Sequence, residues 1–169
     1  MGVVDGDNVS HTGAAVALRH LVGRGAPRAP DLASLEAWGR SLGAALPRPA
    51  IVTFSGDLGA GKTTLVRAIC VGLDVADPAA VTSPTFALIQ EYAAPRGPVV
   101  HVDLYRLRSA RELDAIGWDE VVATAPVLLV EWPNRAVDSL PNHVIAIELR
   151  HDPVRRDRRR LSVRTVLPR

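Results

Sequence analysis

Apolar positions in this chain fall into two kinds of spacing, and the alternation between them outlines the fold. Three continuous runs, Ala50-Ile51-Val52-Thr53-Phe54, Val99-Val100-His101-Val102-Asp103 and Val127-Leu128-Leu129-Val130-Glu131, read as buried strands. The second and third end in a carboxylate. Ala87 to Tyr92 predicts a further strand. Val144 to Leu149 and Arg160 to Val166 predict two late strands, read as a hairpin. Helical spacing fills the intervals. Leu35, Trp38 and Leu42 share a face behind Asp31, a good N-cap, which predicts a helix to about Ala45, stopped by Pro47 and Pro49. Leu65, Ile69 and Leu73, with Val66 and Cys70 beside them, form the stripe of a second helix. Ser109-Ala110-Arg111-Glu112 has capping-box spacing and opens a short helix through Leu113 and Ile116, ended by Gly117. Turns are expected over Asp74–Pro78 and Pro95–Pro98. Residues 1–28 have weak periodicity, with a possible short helix over Thr12–Leu21. They are expected to be a variable extension, with one domain over 29–169.

Between the first run and the second helix stands Gly56-Asp57-Leu58-Gly59-Ala60-Gly61-Lys62-Thr63. A glycine-rich turn leaving a buried strand and opening a helix is the setting of a phosphate-binding P-loop. Its glycines let successive N–H groups converge on a phosphate, and the helix N-terminus adds unpaired donors and the positive end of its dipole. Lys62 then bridges the terminal phosphates, the Thr63 hydroxyl ligates magnesium, and the Thr64 N–H also reaches a phosphate. The fold class that follows is α/β. It is a single P-loop NTPase-like domain, with a mixed, mostly parallel sheet flanked by helices and a late antiparallel hairpin.

Composition sharpens the chemistry. Of 20 Lys and Arg residues only Lys62 is lysine. A slender ammonium fits between phosphates where a planar guanidinium does not. The single cysteine, Cys70, allows no internal disulfide and falls on an apolar helix face, which suits a packed thiol in a reducing cytoplasm. No apolar run reaches membrane-spanning length, so no membrane partner is expected. The stretch Gly13 to Leu18 is too short for a signal peptide. Net charge is +2, yet residues 150–169 hold eight arginines against Asp152 and Asp157. Such asymmetry fits either a solvated basic hairpin or a contact with an acidic partner or nucleic acid. No aromatics interleave these arginines, so a base-stacking platform is not indicated.

A magnesium–nucleotide site needs a further carboxylate at the end of a neighbouring strand, and Asp103 and Glu131 both qualify. Either can hold the metal while the other orients the attacking water, or each can cap its own turn. His101 alternates with Asp103 and Tyr105 and fits either the site or a hydrogen-bonded core position. Arg106 can meet a phosphate or a local acid. The hydroxyl-rich Thr82-Ser83-Pro84-Thr85 is a candidate sensor of the terminal phosphate. Trp132 stands beside Glu131 as either a site or a packing residue. No Asn-Lys-x-Asp series occurs, which favours ATP over GTP. A small-molecule kinase and a nucleotide-gated binding module are the competing classes. The first is disfavoured by the absence of a separate lid segment, and the second differs mainly in turnover.

Ser55 to Leu65, Thr82-Ser83-Pro84-Thr85-Phe86, His101-Val102-Asp103-Leu104-Tyr105-Arg106-Leu107 and Val130-Glu131-Trp132-Pro133 occur in that order. This series resembles the TsaE family, small ATPases of bacterial tRNA threonylcarbamoyladenosine synthesis, over roughly residues 30 to 150. The resemblance implies ATP and Mg2+ as cofactors and the TsaD and TsaB proteins as partners. The tRNA would be involved indirectly. By matching positions it implies Thr63 and Glu131 as magnesium ligands, and Lys62, Asp103 and Glu131 as the catalytic group. Asp57, Leu58, Gly59, Ala60, Gly61, Lys62, Thr63 and Thr64 would bind nucleotide, with Thr85, Trp132 and, near the adenine, Leu32.

Overall fold

The computed structural model describes residues 18–23, 25–141 and 143–166. The expected extension falls mostly on residues outside that set. Of its described part, residues 18–22 are helical, and Leu18, Leu21, Val22 and Ala26 pack on the core.

Six strands form one sheet: β1 (Ala50–Gly56), β2 (Ile89–Tyr92), β3 (Val99–Asp103), β4 (Val127–Glu131), β5 (Val144–His151) and β6 (Arg159–Val166). Their spatial order is β2-β3-β4-β1-β5-β6. The central four run parallel, β2 pairs antiparallel with β3, and β6 antiparallel with β5. Every residue of β3 and β4 is buried, which explains their unbroken apolar pattern. Register places Phe54 beside Glu131 and Glu131 beside Asp103. The carboxyl ends of three parallel strands therefore meet in one row, where ligands of open α/β sheets bind.

Helix α1 (Leu32–Ala45) has the expected cap, with Asp31 accepting from the Ser34 N–H at 2.9 Å. Helix α2 (Lys62–Gly72) buries Leu65, Val66, Ile69 and Cys70. The two helices approach so closely that a Cβ on Gly43 would lie 2.2 Å from the Ile69 carbonyl oxygen, and one on Gly72 2.0 Å from that of Arg40. Helix α3 (Ala110–Ala115) begins at Ser109, whose hydroxyl meets Glu112 at 3.2 Å; Glu112 also accepts from the Arg108 N–H. Gly117 ends α3 as expected, its N–H donating to the Asp114 carbonyl. At φ 68° it links α3 to a further short helix, α4 (Trp118–Thr124), which the spacing did not reveal. Trp118 is the buried residue of α4 and donates its indole N–H to the Ser139 carbonyl. The second strand is also shorter than expected. Leu88, at φ 64°, and its N–H bond to the Pro84 carbonyl hold residues 85–88 in turns, so extension starts at Ile89.

Candidate nucleotide site

The loop between β1 and α2 is built by glycines where nothing else fits. Gly56 has φ 116°, and a Cβ there would lie 1.8 Å from the Leu149 carbonyl oxygen. Gly59 (φ 73°) and Gly61 (φ 101°) take left-handed conformations that turn the chain into α2. No heavy atom lies within 4 Å of a Cβ built on Gly59, so the concave side of the loop is open. A cleft of about 440 Å³ lies over it, reaching Lys62, Thr63 and Thr64 on one side and Asp103, Glu131 and Trp132 on the other.

Lys62 is 4% exposed. Its ammonium donates to the carbonyls of Asp57 (2.7 Å) and Gly56 (3.2 Å) and sits 4.1 Å from the Trp132 ring centroid. Desolvation lowers the ammonium's pKa; Glu131, Asp103 and Asp57 oppose that shift. Trp132 is held over it by an uncommon backbone. Its φ is 59°, its N–H donates to Phe54, and its ring lies 4.9 Å from that of Tyr105.

The carboxylates divide their partners. Glu131, 3% exposed, accepts at one oxygen from the Thr63 hydroxyl (2.8 Å) and meets His101 Nε2 at 3.1 Å on the same oxygen. His101 is fully buried, so it is both a core residue and a neighbour of the site. Asp103 accepts from Ser83 and Thr85 at one oxygen, the latter at 2.7 Å, and from the Tyr105 N–H at the other (2.9 Å). The hydroxyl-rich loop is thus tied to the strand-end carboxylate at the rim of the cleft.

A hydroxyl and one carboxylate are hard oxygen donors, a set that suits magnesium sharing its shell with phosphate and water. Among the described residues no group of three or more His, Cys, Asp or Glu forms a self-sufficient metal cage. The donor set therefore fits a metal that arrives with a phosphate ligand.

Of the sequence candidates, Leu58, Gly59, Gly61, Lys62, Thr63, Thr64, Thr85, Asp103, Glu131 and Trp132 all line this cleft. Three do not. The Asp57 carboxylate accepts from the His151 N–H, so that residue faces the loop by its main chain. Ala60 is buried beneath the loop, and Leu32 is exposed in the first turn of α1. Two contacts escaped the sequence. His151 Nε2 lies 3.1 Å from the Leu58 carbonyl oxygen, and Arg159 Nε donates to that of Ala60 at 3.1 Å. Both come from the β5–β6 hairpin, and only the sheet order brings them beside the loop.

A family profile described as "Threonylcarbamoyl adenosine biosynthesis protein TsaE" matches residues 29–161. A tRNA threonylcarbamoyladenosine biosynthesis protein TsaE from Treponema pallidum is 36% identical over 113 residues, covering 67% of this chain and 82% of that protein. One from Mycobacterium bovis is 35% identical over 139 residues, covering 76% and 80%. The crystal structure of Bacillus subtilis YdiB superposes with a TM-score of 0.62 at 29% identity over 82% of each chain.

Proposed function

The chain belongs to the TsaE family, and from that premise we propose that it is a magnesium-dependent ATPase. In this reading it supports threonylcarbamoylation of the adenosine beside the anticodon together with a TsaB–TsaD complex. Hydrolysis of ATP to ADP and phosphate resets that complex between turnovers, and the isolated chain turns over slowly. The observation that carries the proposal is the Thr63–Glu131 contact of 2.8 Å beside the buried Lys62, at the mouth of a glycine loop.

Each group has a role that follows from its surroundings. The loop N–H groups and the α2 N-terminus receive the phosphates. Lys62 exchanges two carbonyl acceptors for phosphate oxygens, and the added negative charge opposes desolvation as the three carboxylates already do. Thr63 and Glu131 hold the magnesium, which supplies charge neutralisation at the phosphates. Asp103 orients the attacking water once its hydroxyl partners yield, and the loop carrying Ser83 and Thr85 senses the terminal phosphate. Trp132 screens Lys62 from solvent. Leu32 lies toward the adenine. The absence of an Asn-Lys-x-Asp series supports adenine over guanine. No helix of the described residues is long and apolar enough to cross a membrane, and we place the protein in the cytoplasm.

The test is phosphate release at millimolar magnesium, with and without purified TsaB–TsaD. Release should rise on adding the complex and disappear in Lys62→Ala. Equal release from that variant, or transfer of phosphate to an alcohol instead of water, overturns the proposal.

A further inference from the structure

A second cavity, of about 580 Å³, opens next to the nucleotide cleft and shares Tyr105 with it. It is lined by Arg106 and Arg108 from the turn after β3 and by Arg135 from the turn after β4. Both turns follow directly on a site carboxylate, Asp103 and Glu131. Among the described residues, none of these three guanidiniums has a carboxylate within 4.0 Å or a hydrogen bond. Glu112, four residues on from Arg108, accepts instead from the Arg108 main-chain N–H and the Ser109 hydroxyl. The Arg106 guanidinium lies 4.0 Å over the Phe86 ring. Its flat face is thereby occupied while its N–H edge stays free for a paired acceptor.

The basic hairpin that dominates the sequence is different. Arg150 is paired with Glu148 at 2.6 Å, and Arg160 reaches Asp152 at 4.0 Å. Arg158 and Arg159 give donors to the main-chain carbonyls of Ala29 and Ala60. Half of the eight arginines in residues 150–169 thus spend their side chains on internal ion pairs or hydrogen bonds, whereas the side chains of all three arginines at the second cavity make neither among the described residues.

We infer that the face formed by Arg106, Arg108 and Arg135 with the neighbouring rim of the nucleotide cleft docks an acidic surface of a protein partner. This rests on the ATPase reading above and names where its partner would bind. The cavity is far larger than a single small anion needs. Its surroundings are also apolar: Phe86 is 86% exposed, Leu58 71% and Tyr105 43%. Arginine and aromatic side chains with exposed aliphatic surface make the composition of protein hot spots. Arginines and exposed rings also serve single-stranded nucleic acid, but the exposed aliphatic Leu58 and the guanidinium already lying over the Phe86 ring favour a protein here. Because Tyr105 borders both cavities, a partner seated here closes over one side of the nucleotide.

The test is capture of purified TsaB–TsaD by the immobilised full chain with ATP and magnesium, at low and high salt. Arg108→Glu combined with Arg135→Glu should weaken capture by about tenfold or more. Arg108→Gln with Arg135→Gln should give a smaller loss. Capture by the unmodified chain should fall with salt. Binding of a fluorescent ATP analogue, retained within about twofold, checks that both variants keep a formed site. Equal capture by the unmodified chain and the Glu variant overturns the inference alone. No capture by the unmodified chain overturns it together with the proposed partner. Binding of a tRNA that the Glu variant loses, with protein capture unchanged, reassigns the face to RNA.

Discussion

Glu131 and Asp103 stand side by side in the sheet yet hold different partners. Glu131 is bound to the helix that carries Lys62, through Thr63, and is backed by His101. Asp103 is bound to a loop, through two hydroxyls. Glu131→Gln should therefore raise the magnesium needed for nucleotide binding by roughly tenfold. Asp103→Asn should leave that requirement nearly unchanged and lower turnover by about a hundredfold. A magnesium titration with a fluorescent nucleotide, alongside phosphate release, separates the two, and the reverse pattern would exchange their roles. Cys70 is a simpler case. Burial pushes its thiol up from 9.0 to about 12. Above pH 9 the unfolded thiol ionises while the folded one keeps its proton, so the unfolded state binds fewer protons. Stability should then fall as pH rises from 9 towards 12, by at most about 1.4 kcal/mol per pH unit from this group. Native protein at pH 8 should resist a thiol-reactive dye that labels Cys70 fully in denaturant.

At the scale of elements, α1 and α2 meet through glycines. An alanine at a helix interior normally stabilises relative to glycine, by about 1 kcal/mol. Gly43→Ala should do the opposite, because its methyl would meet the Ile69 carbonyl oxygen. Overpacking of this kind costs roughly 1–3 kcal/mol, a fall of about 3–10 °C in Tm by calorimetry. Signals local to an element were legible in the sequence. Asp31 announced the start of α1, residues 50–63 the strand, loop and helix, and Ser109 with Glu112 the start of α3. Signals that depend on sheet order were not. His101 reaches Glu131 only because β3 and β4 are neighbours in the register that sets Asp103 beside Glu131. Gly117 is the stop of α3 that it was read as, but nothing local to it showed that a second helix begins on its far side. That ten of the candidates line one cleft was readable because the loop and strand-end positions are fixed by backbone rules. That the Asp57 carboxylate and the Ala60 carbonyl are engaged by His151 and Arg159 was not legible, because the hairpin carrying those partners is remote in sequence.

For the whole molecule, the hairpin of β5 and β6 supports the phosphate loop from the side away from the cleft. His151 and Arg159 reach loop carbonyls, while the main chain of Arg159 and Leu161 pairs with Pro30 and Arg28, just before α1. Arg159→Ala should weaken ATP binding by about tenfold, the loss expected when one hydrogen bond from a charged donor to a partly buried acceptor is removed. Titration with the fluorescent analogue checks this; affinity unchanged within twofold would mean that the loop keeps its shape unaided. The support has a bearing on how the protein is made. The ribosome adds Lys62, Thr63, Asp103 and Glu131 well before Arg159, so a nascent chain possesses the side chains proposed to hold nucleotide and metal while the buttress is still unsynthesised. Full affinity for nucleotide would then be reached only once the start of the last strand has been made.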